Sequence, residues 1–78
     1  MTTAELAART KRKLATPEGA AMLRVCKGYS PRQSLAYIVS KVTGEKRYES
    51  VTEAVELLMK DANITKRIHK ATYPLGEI

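Results

Sequence analysis

The chain has no tryptophan and no phenylalanine, one cysteine, one histidine and four tyrosines in 78 residues. A core built from it is therefore aliphatic, and a deep pocket walled by aromatic rings is excluded. The lone Cys26 excludes an internal disulfide framework, and with His69 as the only imidazole it cannot close a four-ligand zinc site. No apolar run approaches the roughly 18 residues that cross a bilayer, and the N-terminus lacks the apolar stretch of a secretory signal. The Ala-rich, basic opening loosely resembles an organelle transit peptide, but Glu5 and the absence of serine there argue against that. An unpaired cysteine fits a reducing compartment, and the expected location is the cytoplasm, with no membrane partner and no cofactor.

What is present is helix punctuation. Thr2-Thr3-Ala4-Glu5, Ser30-Pro31-Arg32-Gln33 and Ser50-Val51-Thr52-Glu53 each match the capping box, in which a hydroxyl accepts from the amide three residues on and that residue's side chain reciprocates. Thr16-Pro17-Glu18 signals a fourth start, with proline at a position that has no N–H to lose. Gly28 and Gly44 stand where helices end in a left-handed residue. Helices are expected over 3–14, 17–27, 31–43 and 50–61, with a shorter one at 63–71. The chain thus reads as all-α, a small single bundle of four to five short helices.

The third helix has the clearest inward stripe, Leu35, Ile38, Val39 and Val42. The fourth places Val51, Ala54, Val55, Leu58 and Ala62 on one face, with Glu53, Glu56 and Lys60 largely opposite. The second offers Met22, Leu23, Val25 and Cys26 as a wide apolar surface. The first has only Leu6, Ala7, Ala8 and Leu14 to bury, so weak docking is expected, as a frayed helix or basic arm over residues 1–15 beside a helical core at 16–71. A strand at 36–42 is the one β alternative; the capping box before it, Gly44 after it and the helical stripe decide against it. Residues 45–49 read as a charged loop, and 72–78, interrupted by Pro74, as an irregular tail.

The net charge of +6 is unevenly spread. Residues 1–33 carry +5, 34–59 carry −1, and the last nineteen carry +2. A basic excess on a small domain suits a polyanion, because each cation that neutralises a phosphate releases a condensed counterion, and it equally suits an acidic protein surface.

The segment 17–43 has the proportions of a helix-turn-helix, two helices joined by a short turn containing glycine. With Leu35, Ile38 and Val42 inward, Arg32, Gln33, Tyr37 and Lys41 lie on the far side. Arg32 and Gln33 occupy the first turn, where a recognition helix meets base edges, and Ser30 with the first amides suits a phosphate. Arg9, Lys11, Arg12 and Lys13, with Arg24 and Lys27, extend the candidate nucleic-acid surface, the first cluster as an arm able to follow a minor groove. Ser-Pro-Arg-Gln is also a sound helix start in any setting, and an Arg/Gln/Tyr face is an ordinary solvated one.

Nothing in the chain points to catalysis. Cys26 falls on an apolar face, His69 has no evident triad companion, and Glu53 with Glu56 read as a capping residue and a solvated charge. The sequence therefore favours a non-enzymatic DNA-binding protein. The alternative is an adaptor, inhibitor or small subunit docking on a larger protein through Tyr29, Tyr48, Tyr73 and Leu75, since tyrosine with arginine is typical of interface hot spots. Homodimerisation through helix four, helped by Leu57 and Met59, is a further expectation.

Overall fold

The structure is a computed structural model that describes residues 1–72. Five helices follow in order: α1 Thr3–Leu14, α2 Pro17–Val25, α3 Pro31–Thr43, α4 Tyr48–Met59 and α5 Ala62–Thr72. The small all-α bundle expected from the sequence is therefore the observed fold. Among the described residues no helix is long and apolar enough to cross a membrane.

The starts of α1 and α3 are capping boxes with both bonds made. Glu5 N donates to Thr2 Oγ1 at 3.2 Å and Thr2 N to the Glu5 carboxylate at 2.9 Å. At α3, Gln33 N donates to Ser30 Oγ at 3.2 Å and Ser30 N to Gln33 Oε1 at 3.1 Å. Thr16 caps α2 by accepting from Gly19 N, with Pro17 at the first position. Gly44 closes α3 with φ of 75°, a conformation that favours a residue without Cβ.

Helix four departs from expectation. It begins at Tyr48, so the Ser50–Glu53 box is not a cap, and the Arg47 side chain at the cap position makes no capping bond to the helix. The Glu45 carboxylate instead accepts from the amides of Lys46 and Arg47 at 3.0 and 3.2 Å, which turns the chain into the helix two residues early. The same helix ends at Met59, so Ala62 is not part of its stripe but stands exposed at the start of α5. Helix two likewise stops at Val25 rather than at residue 27, and Val25 is 63% exposed, outside the apolar surface assigned to it.

The expectation of a weakly docked first segment is overturned. Leu6, Thr10 and Leu14 are all buried, and α1 packs on α4, α3 and α2. The reason is Thr10, 0% exposed, whose hydroxyl donates to the Leu6 carbonyl at 2.9 Å. A threonine whose hydroxyl is satisfied within its own helix presents a methyl to the core and desolvates no unpaired donor. Leu6, Thr10 and Leu14 then form an unbroken i, i+4, i+8 seam. Ile64, Ile68 and Thr72 make the same seam in α5, with Thr72 Oγ1 donating to Ile68 O at 2.9 Å. Between them sit Leu23, Cys26, Leu35, Ile38, Val39, Val51, Ala54, Val55 and Leu58, all buried.

Two contacts fix how the ends of the bundle meet. Gly28 N, in the α2–α3 turn, donates to Thr72 O at 2.8 Å and ties the last turn of α5 to that connection. Gly19 lies against the end of α1 so closely that a Cβ there would stand 2.6 Å from Leu14 Cα and press harder still on the Lys13 carbonyl oxygen. The obstructing atoms are backbone and cannot swing aside. Gly19→Ala gains helix propensity of about 1 kcal/mol, but overpacking against backbone at the upper end of about 1–3 kcal/mol outweighs that gain, so a net loss of about 1–2 kcal/mol of unfolding free energy is expected. Urea denaturation checks this; unchanged or raised stability would contradict the close approach.

Candidate nucleic-acid interface

The basic residues of the first three helices do not form one surface. Arg9, Arg12 and Lys13 converge with Thr16 and Val42 on a groove of about 300 Å³ between α1 and the C-terminal end of α3. Lys11 lies elsewhere on α1 and pairs with Asp61 at 3.2 Å. Lys13 also pairs with Glu18 at 3.2 Å. Arg24 and Lys27 are exposed around the C-terminal end of α2, beside Tyr29.

The segment expected as a helix-turn-helix folds as the consecutive helices α2 and α3 joined by residues 26–30, and α2 packs more on α1 and α5 than on α3. At the start of α3 both residues assigned to base contacts are engaged within the protein. Arg32 is hydrogen-bonded and ion-paired to Glu56 of α4, and Gln33 Oε1 is the acceptor of the capping box. Together with Ala36, Tyr48, Thr52 and Val55 they line a groove of about 240 Å³ between α3 and α4. An exposed ion pair is weak and breaks readily, but Glu56 places a negative charge where a phosphate or base edge would approach. Tyr37 is half-buried, and Lys41 Nζ stands 5.7 Å above its ring. Tyr48 is 82% exposed at the first turn of α4; Tyr73 and Leu75 lie outside the described residues.

Sequence reasoning missed the cations of α5. With Ile64, Ile68 and Thr72 inward, Lys66 and Lys70 stand on the opposite face, one helical turn apart. Asn63, Lys66, Arg67, Lys70 and Ala71 line a shallow groove of about 380 Å³ on one flank. On the other flank Lys60, Lys66 and His69 share a groove of about 540 Å³ with Pro31 and Met59. Among the described residues neither groove is lined by a carboxylate. The signal in the sequence was Lys66-Arg67 followed by Lys70 on a helix whose inward positions are Ile, Ile and Thr.

Two contacts join this face to the end of α1. Arg67 Nη2 donates to the Leu14 carbonyl at 2.5 Å, supplying a donor to one of the four carbonyls a helix end leaves unpaired. Asp61 accepts from the amides of Asn63 and Ile64 at 3.0 and 3.3 Å while holding Lys11, so it caps α5 and bridges to α1. The Lys11 ammonium, followed by the Ile64 amide, holds the Asp61 carboxyl below its ordinary range. Cys26 is buried, which pushes its thiol up and makes the thiolate scarce, with the nearby Ser34 hydroxyl acting in the opposite direction. Among the described residues no three His, Cys, Asp or Glu side chains gather in a metal-binding group.

Comparison with protein-family models, with curated proteins and with solved structures finds no match, so geometry and charge alone carry the reading of this surface.

Because the folded-state pKa of Asp61 is depressed, its charge stabilises the fold above the unfolded aspartate range, and that contribution disappears as pH falls through the lower folded value. Asp61→Asn keeps an oxygen for the α5 amides and removes only the charge. The variant is expected to melt below wild type at neutral pH, with the gap closing as pH falls below the ordinary aspartate range. A gap independent of pH would contradict the assignment.

Proposed function

We propose that the protein binds nucleic acid, duplex DNA in the first instance, as a non-catalytic protein acting inside the cell, and that its contact surface is α5 with the end of α1. The observation that carries this reading is the α5 outer face, where Lys66 and Lys70, flanked by Lys60 and Arg67, stand with no carboxylate lining the grooves beside them. Arg12, Lys60, Lys66 and Lys70 have no ion-pair partner among the described residues, so they meet phosphate without first surrendering a carboxylate. Binding then draws on counterion release rather than on reading base edges, and its sequence preference is correspondingly slight.

Arg9 and Arg12, in the groove between α1 and α3, add phosphate contacts in this proposal. Contacts from Arg9, Arg12, Lys60, Lys66 and Lys70 correspond to a slope of log affinity against log salt of roughly −4.5 on duplex DNA. Lys66→Ala with Lys70→Ala is expected to reduce that slope by about 2. Arg32→Ala with Gln33→Ala leaves it unchanged. Fluorescence anisotropy on labelled DNA and RNA at several salt concentrations measures both. Failure to bind either polymer at low salt would refute the proposal, and loss of binding in the Arg32/Gln33 variant alone would return the interface to α3.

A second reading, a protein-binding adaptor, is favoured by Tyr48 and Tyr29, which are 82% and 43% exposed. Retention of a discrete partner after nuclease treatment in a native pull-down supports that reading, and loss of the captured material supports the first.

A further inference from the structure

The groove between α3 and α4 and the end of α2 are complementary in charge. Ala36 and Val55 give the groove apolar lining, Tyr48 and Thr52 stand with them, and its volume of about 240 Å³ is below the range typical of metabolite pockets. It suits a single side chain. Along the outer face of α4 run Glu49, Glu53 and Glu56 at helical spacing, all exposed, of which only Glu56 has an ion-pair partner among the described residues. The end of α2 presents the reverse: Val25, 63% exposed, between Arg24 and Lys27, which are exposed and have no carboxylate partner among the described residues. The helices α1, α3 and α5 each pack on both α2 and α4, whereas α2 and α4 share no comparable interface. One copy therefore cannot bring its own two surfaces together.

We infer that the occupant of the groove is a second copy of this chain, whose Val25 enters between α3 and α4 while its Arg24 and Lys27 face Glu49 and Glu53. Such a contact joins two different patches, so it either closes reciprocally about a two-fold axis or propagates head to tail. The inference is independent of the nucleic-acid reading, since it uses neither α5 nor the cations of α1. Being built largely from exposed charges, the contact is weak and is screened by salt.

Two charge-reversed variants test it without nucleic acid present. Arg24→Glu with Lys27→Glu makes both surfaces acidic, and Glu49→Lys with Glu53→Lys makes both basic. All four positions are exposed, and circular dichroism confirms that each variant keeps the helical fold. Sedimentation at low salt is expected to show the wild-type mean mass rising with concentration above that of one chain, and each variant alone remaining at one chain. An equimolar mixture of the two variants regains association, because every acidic surface then finds a basic one. A wild-type mass of one chain at every concentration, or a mixture that stays monomeric, would overturn the inference.

Discussion

The absent side chain at Gly19 lets α2 turn back directly against the last turn of α1, with backbone meeting backbone at Lys13 and Leu14. Much of the surface follows from that contact. It fixes the end of α1 in the bundle, where the Leu14 carbonyl is within reach of Arg67 and Lys11 is within reach of Asp61. A helix end left in solvent would hydrogen-bond to water instead. Here one of its carbonyls is used to orient a guanidinium of α5, so the packing of one helix positions a charge on another.

The fold also separates charges that are mixed along the chain. Four glutamates, Glu45, Glu49, Glu53 and Glu56, fall on α4 and the loop before it, while α5 and the end of α1 carry lysine and arginine. Local charge counting placed the strongest cationic surface in residues 1–33, because that stretch has the largest excess. In three dimensions that excess is divided: Lys11 and Lys13 are paired, Arg32 is held by Glu56, and Arg24 with Lys27 lies at the end of α2. The modest excess of the last segment is instead displayed on a single amphipathic helix. A surface depends on which charges share a face and which are offset by neighbours, and neither is visible in a running sum.

What was legible in the sequence was local chemistry. The boxes at Thr2–Glu5 and Ser30–Gln33 and the left-handed Gly44 are decided within a few residues, and α1 and α3 begin and end where those signals stand. The box at Ser50–Glu53 failed because a competing local device, the Glu45 carboxylate on two loop amides, opens the helix earlier. The docking of α1 was illegible for a different reason. An apolar count discards threonine, although at Thr10 and Thr72 a hydroxyl bonded to the carbonyl four residues back makes the residue serve as a hydrophobe. At the candidate site, Arg32 and Gln33 were located correctly on the first turn of α3, but their partners are 24 residues away in Glu56 and three residues back in Ser30. The former depends on tertiary packing that no short motif encodes.

In the proposed reading, the packing of α1 and α5 places the polyanion-binding surface on the outer face of α5 rather than on the first turn of α3. Titration of the isotope-labelled protein with a short DNA duplex, followed through backbone amide chemical shifts, tests this most directly. The largest shifts are expected on residues 60–71 and on the last turn of α1, with little change over 30–37. Shifts concentrated at 30–37, with those of α5 unmoved, would contradict it.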